Sequence, residues 1–418
     1  MKIQGVFSGL REYLKQTDLL FWIMTLIASL YGIALIWSQQ RAGDVNFIRT
    51  QIFAVILGYI AAVIISMIDY NIIAKLWWLV AVVGLALTIA VFFIGIQVSG
   101  TDDTGWIRLP GNITFQPSEL TKIFFIITFS KHLSYLIEID KLKNFVGVIT
   151  LVAHAAVPIL LIHFQGDDGA ALIFAFMFLI MSFMAGVQLR YFIILGAAVA
   201  AAIPLIWTKL LNDDQKNRLI VLFTNDDSMI QNYGWQQYQG KISIATGGLF
   251  GKGYYNGPRV ENNTVPYQEN DFIFTVAGEE LGFIGCIALI VLMALICIKI
   301  IHTSTQSYNP LGRLICIGFF AEVAVQTIIN LGMVMGLLPV VGITLPFFSS
   351  GGSSVACLYL GVGLVQSVYM HRTDVNLVGQ KVIRKNTDET YTKIQPCEEI
   401  PPLPHKEKTE EMEKNEFL

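Results

Sequence analysis

About ten stretches of some twenty mostly apolar residues run through this 418-residue chain, more hydrophobic segment than a soluble domain can bury. A bilayer core asks for about 20 apolar residues per helical crossing. On that criterion spans are expected near 19–38, 50–68, 74–96, 117–136, 146–163, 169–187, 191–208, 272–300, 313–336 and 354–371. Only 14% of residues are charged, against roughly a quarter in soluble domains. The fold class is therefore all-α, a polytopic membrane protein with about ten transmembrane helices.

The charges are segregated, which sets an orientation. Basic residues favour cytoplasmic loops, and a cytoplasmic N-terminus puts Lys2, Arg11, Lys15, Lys75, Lys131, Lys141, Lys143, Arg190, Lys299, Arg313 and Arg372 inside. The short outer segments then keep Arg41, Arg49 and Arg108. Residues 1–18 form a cytoplasmic N-terminus, 19–372 the membrane domain and 373–418 a polar, charged tail expected to be cytoplasmic and disordered. Leu19 opens a full-length span, so no cleavable signal peptide is expected. Four cysteines (Cys286, Cys297, Cys316, Cys357) lie in apolar runs and Cys397 in the tail, giving neither a disulfide framework nor zinc spacing. A nucleic-acid partner is not expected.

Four segments then face outward: 97–117, the Gly166-Asp167-Asp168-Gly169 link, the large loop 209–271 between spans 7 and 8, and 337–353. A loop as long as 209–271 is usually functional. Its stretch from Gly234 to Ala245 mixes aromatic and polar residues, as does a helix lying in the membrane interface. The loop ends in Asn270-Asp271-Phe272, where Asp271 meets the start of an apolar span. Ionisable groups at membrane depth are costly and mark functional sites by default.

Other polar groups cluster on the same side. In Gln116-Pro117-Ser118-Glu119-Leu120-Thr121-Lys122, Pro117 suits the first turn of a helix, and Glu119 and Lys122 share one face. Glu119 would equally complement the helix dipole, while Lys122 inside a span faces a polar cavity or snorkels. Ser349-Ser350-Gly351-Gly352-Ser353-Ser354 precedes the last span. It reads as an ordinary serine cap, or as a site for phosphate oxygens at a helix N-terminus, with Ser353 as a substrate contact. Gly247-Gly248-Leu249-Phe250-Gly251-Lys252-Gly253 fails as a nucleotide loop, because its first glycine is misplaced and no Ser or Thr follows Lys252. Lys252 is a counter-charge for an anionic substrate or a solvated loop lysine. Glu279 and Glu280, about 12 Å beyond Asp271 on a continuous helix, are expected to pair with another helix. Asp167 and Asp168 could hold a cation, but solvated span ends are the simpler reading.

These segments, in this order, resemble the SEDS family of bacterial membrane proteins, the RodA, FtsW and SpoVE group, from about residue 19 to 372. The resemblance rests on Gln116-Pro117-Ser118-Glu119-Leu120, Gly247-Gly248-Leu249 with Gly251-Lys252-Gly253, Asn270-Asp271-Phe272-Ile273-Phe274 with Gly278-Glu279-Glu280-Leu281-Gly282, and Leu338-Pro339 through Ser354. It implies a ten-span helical fold and a peptidoglycan glycosyltransferase of the bacterial cytoplasmic membrane. Such an enzyme polymerises lipid II on undecaprenyl-pyrophosphate-linked glycan beside a class B penicillin-binding protein. The family's essential aspartate falls on Asp271 and its Glu/Lys pair on Glu119 and Lys122. Gly105 stands where the family often has a basic residue, leaving Arg108 as a substitute. Pro266-Tyr267-Gln268-Glu269 lacks a histidine found in some members, and Gln165-Gly166-Asp167-Asp168-Gly169 departs from the family's Gln-Pro-Asp-Leu-Gly. The Gly-Lys-Gly run and the Asn-Asp pair look more like the RodA branch.

The reaction needs a base for the attacking sugar hydroxyl and positive charge for the departing pyrophosphate. Asp271 can be the base. Arg108, Lys122 and Lys252 can meet the pyrophosphate, with Glu119 orienting Lys122. A divalent cation (Mg or Mn) could bridge Asp271 and pyrophosphate, though no ligand cluster compels one. The competing readings are a flippase for lipid-linked precursors, which needs a polar path to both faces, and a non-catalytic scaffold, which leaves Asp271 without a reason.

Overall fold

The computed structural model describes residues 11–40, 46–97, 104–109, 113–224 and 226–372. The tail 373–418, residues 1–10 (with Lys2), Arg41 and parts of the 97–117 segment lie outside the described residues. Ten helices among those described are long and apolar enough to cross a membrane. They are α1 (Leu19–Gln39), α2 (Asn46–Met67), α3 (Trp77–Ile94), α4 (Pro117–Glu138), α5 (Phe145–His163), α6 (Asp168–Ala185), α7 (Leu189–Leu205), α8 (Ile273–Gln306), α9 (Pro310–Val334) and α10 (Gly352–Met370). The chain is a multi-pass membrane protein, and the spans fall where apolar length places them.

Local chemistry sets many of the helix ends. The Asp18 carboxylate accepts the Phe21 N–H to cap α1, and Asp167 accepts the Ala170 N–H to cap α6. Pro117 and Pro310 open α4 and α9, where a missing N–H costs nothing. Helices α4, α9 and α10 are mostly buried and form the centre of the bundle, whereas α7 has no buried residue. The α2–α10 pair packs closely because a Cβ on Gly363 would sit 2.7 Å from the Ala62 carbonyl oxygen.

Odd-numbered helices finish, and even-numbered ones begin, at one end of the bundle, which the charge pattern assigns to the outer side. That end carries the hairpin β1 (Ile107–Leu109) and β2 (Ile113–Phe115), with Arg108 opposite Thr114. Segment 209–271 is largely helical, with helices at Asp213–Ile220 and Trp235–Gly247. The second of these is not a crossing, as expected, but it does not simply lie on the interface. It packs on the start of α8, where a Cβ on Gly247 would meet the Gly278 carbonyl.

The eighth span differs from the expected single helix. At 34 residues α8 would be far longer than a bilayer, roughly 51 Å against a hydrocarbon core of about 30 Å. It breaks at Gly282, which adopts φ 67° and ψ −160°, a region open essentially to glycine alone. Residues 283–306, roughly 36 Å of helix, make the crossing. Residues 273–281 form a half-helix at the loop-bearing end, so Glu279 and Glu280 do not descend into the membrane below Asp271. Ser38, near the end of α1, donates to Glu280 Oε1 at 2.7 Å.

Candidate active site

Asp271 immediately precedes the half-helix. The Asn330 carboxamide, near the end of α9, donates to the Asp271 carbonyl at 2.8 Å and to the Ile343 carbonyl at 2.7 Å. The Ser350 N–H donates to the Glu269 carbonyl at 2.8 Å, and Gln268 Nε2 to Thr275 Oγ1 at 3.1 Å. Segment 343–350 is itself fixed: Gln51 donates to the Ser349 carbonyl and accepts the Gly351 N–H. The backbone carrying Asp271 is thus tied to α9 and to the loop before α10.

Asp271 is 8% exposed, and no other described side chain is hydrogen-bonded or ion-paired to its carboxylate. Burial pushes its pKa up from 3.8 to about 7, its own backbone N–H works against the shift, and the Glu269 charge adds to it. A carboxyl that loses its proton near neutrality suits general-base work.

Glu119 and Lys122 meet, with Lys122 Nζ 3.1 Å from Glu119 Oε2. A third member was missed: Glu322 of α9 lies 3.5 Å from the same ammonium. Its signal was available, since it is an acidic residue inside an apolar span. Lys122 has no exposed surface, so in this conformation its ammonium faces carboxylates and not a substrate. Glu322 and Asn330 are about two turns apart on α9, roughly 12 Å, which separates this triad from Asp271.

The remaining candidates are distributed around the same end. Arg108 is exposed on β1. Ser353, in the first turn of α10, accepts the Gln116 N–H at 3.4 Å and so joins α10 to the start of α4. Lys252 is a third exposed, its ammonium 3.7 Å from Glu279 Oε1. Glu279 also accepts the Arg259 and Val260 N–H groups at 3.0 and 3.1 Å. Glu280 accepts the Tyr255 and Gly257 N–H groups, each at 3.2 Å. The two carboxylates therefore clamp the 252–260 loop in addition to α1. Asp167 accepts from Gln116 Nε2 at 2.9 Å, and Asp168 pairs with His163 and Gln215, each at 2.6 Å. Among the described residues no group of three or more His, Cys, Asp or Glu could hold a metal ion.

A model of the cell cycle protein family FtsW/RodA/SpoVE matches residues 13–374. The chain belongs to this family. Within the FtsW/RodA/SpoVE family it is 30% identical over 362 residues to peptidoglycan glycosyltransferase MrdB of Escherichia coli (strain K12), covering 87% of this chain and 95% of that one. It is 29% identical over 363 residues to probable peptidoglycan glycosyltransferase FtsW of Geobacter sulfurreducens, covering 85% and 95%. The fold is that of Thermus thermophilus rod shape-determining protein RodA (TM-score 0.63, 24% identity, 86% and 98% covered). It also matches a chain from a structure of a peptidoglycan synthase complex that coordinates polymerization and crosslinking (TM-score 0.73, 24% identity, 86% and 99% covered).

Proposed function

We propose that this chain is a peptidoglycan glycosyltransferase that polymerises lipid II into glycan strands at the outer face of the cytoplasmic membrane. The observation that carries the reading is Asp271: a buried carboxylate without a partner side chain among the described residues, held by fixed backbone at the loop-bearing end, where lipid-linked head groups are within reach. Its family membership and the names of its relatives support the same reaction class.

In the reaction Asp271 accepts the proton of the attacking sugar hydroxyl as that oxygen bonds to the anomeric carbon. The bond from that carbon to the pyrophosphate oxygen breaks, and the polyprenyl pyrophosphate leaves with the electron pair. Arg108 and Lys252, exposed and part-exposed at the same end, are the cations assigned to it in this reading. Lys122, held between Glu119 and Glu322, positions α4 against α9.

The partner in this reading is a class B penicillin-binding protein that crosslinks the product, in line with the synthase complex of similar fold. The test is polymerisation of purified lipid II by the purified protein, with and without that partner. Glycan chains that disappear in Asp271→Asn support the reading. Transport of labelled lipid II across vesicles by both forms, with no polymer from either, would replace it with a flippase.

A further inference from the structure

At the end of the bundle opposite the loop-bearing one, two short turns meet: 139–144 between α4 and α5, and 186–188 between α6 and α7. Each buries one apolar residue, Leu142 and Val187, and a Cβ on Gly186 would lie 4.0 Å from Leu142 Cδ2. With Leu142 turned inward, its neighbours Lys141 and Lys143 stand exposed. Arg190, in the first turn of α7, is exposed next to them. Its Nη2 donates to the Lys143 carbonyl at 3.4 Å and to the Tyr191 hydroxyl at 3.1 Å. That hydroxyl donates to the same carbonyl at 3.2 Å, and the guanidinium lies 4.8 Å from the Tyr191 ring centroid.

Lys141, Lys143 and Arg190 form no ion pair among the described residues. Glu138 and Asp140, exposed at the end of α4, therefore neutralise none of them by contact. The inward bias of basic residues explains their side of the membrane, but not three unpaired cations on two joined turns. Asn144 and Gln188 leave α5 and α7 without a side-chain cap, so the partial positive charge of both helix starts adds to theirs. The complement is an anion with several acceptor oxygens. Beyond the cations the surface turns apolar: Phe145 and Val146 on α5, and Leu189 and Ile193 on α7, are 60–69% exposed. A phosphate that carries acyl chains fits both surfaces; a free phosphate fits only the first.

We propose that Lys141, Lys143 and Arg190 bind the phosphate of an anionic phospholipid in the leaflet that the charge pattern places on the cytoplasmic side, with its acyl chains along α5 and α7. The head group spans the two turns and so helps to fix α7, which buries no residue of its own. The binding is independent of what the opposite end catalyses.

The experiment takes the full-length protein in detergent with equal amounts of phosphatidylglycerol and phosphatidylcholine, and reads the retained lipid by native mass spectrometry. Wild type should retain phosphatidylglycerol in preference. Each Lys or Arg near an anionic head group is worth about fivefold in affinity, so Arg190→Gln should weaken binding about fivefold and Lys141→Gln/Lys143→Gln about 25-fold. Lys75→Gln/Arg313→Gln, which removes two exposed cations elsewhere at the same end, should retain the lipid as wild type does. Equal retention of both lipids by wild type would overturn the site. So would an equal loss in the Lys75/Arg313 variant, which would mean diffuse surface charge. Displacement by glycerol 3-phosphate, a head group without chains, would also overturn it in favour of a free-phosphate site.

Discussion

Replacing Asp271 with asparagine keeps the shape of the side chain and removes its titration, and the structure predicts two opposite consequences. Loss of a general base typically costs 10²–10⁴-fold in rate, so polymerisation should nearly vanish. Stability should change the other way. The folded pKa of about 7 stands above the ordinary 3.8, so the folded state holds this proton more tightly than the unfolded chain. Such a group contributes stability fully below about pH 4 and loses it as pH rises to 7. Between pH 5 and 7, two pH units at 1.36 kcal/mol each amount to about 2.7 kcal/mol. Relative to Asp271→Asn, wild type should therefore lose about that much between pH 5 and 8, the variant being the more stable of the two at pH 8. Thermal unfolding in detergent, read with a thiol-reactive fluorophore through buried Cys286, Cys316 and Cys357, measures the difference. Wild-type turnover should fall about a hundredfold from its alkaline plateau to pH 5, where only about one Asp271 in a hundred is ionised. A wild-type melting profile parallel to that of the variant across this range, or near-normal glycan synthesis by Asp271→Asn, would refute the assignment of Asp271 as a buried base.

Three further outcomes follow from the architecture. Lys122→Ala leaves Glu119 and Glu322 facing one another without a cation, so about 3–5 kcal/mol of stability should be lost, with part regained in Lys122→Ala/Glu322→Gln; Lys122→Ala and Glu119→Ala together should cost less activity than the two losses combined. Gly282→Ala places a Cβ 2.2 Å from the Gly251 nitrogen at a left-handed φ, so the yield of monodisperse protein on size-exclusion chromatography should fall sharply. A cysteine at exposed Asn262 should react with a membrane-impermeant maleimide on wall-stripped cells; protection until the membrane is opened would reverse the orientation.

The ten spans were legible because a membrane crossing is a local property: some twenty apolar residues must be helical where the backbone has no water to bond. The caps at Asp18 and Asp167 and the prolines opening α4 and α9 are equally local. The Glu119–Lys122 pair followed from helical spacing, and Asp271 stood out because a carboxylate at the edge of an apolar run is expensive. What no window of sequence contained was the identity of partners brought from other helices. Glu322 meets Lys122 only because α9 packs on α4, and Gln51 holds the Ser349 loop only because α2 lies along α10. The break at Gly282 is likewise tertiary. The residues flanking it look helical, but the Phe283 and Ile284 N–H groups bond instead to the Gly248 and Leu249 carbonyls. That exchange turns an apparently continuous span into a half-helix and a crossing. Composition and spacing determined where the chain enters the membrane and which charges are costly there; packing decided which of those charges are paired and left Asp271 without a partner side chain among the described residues.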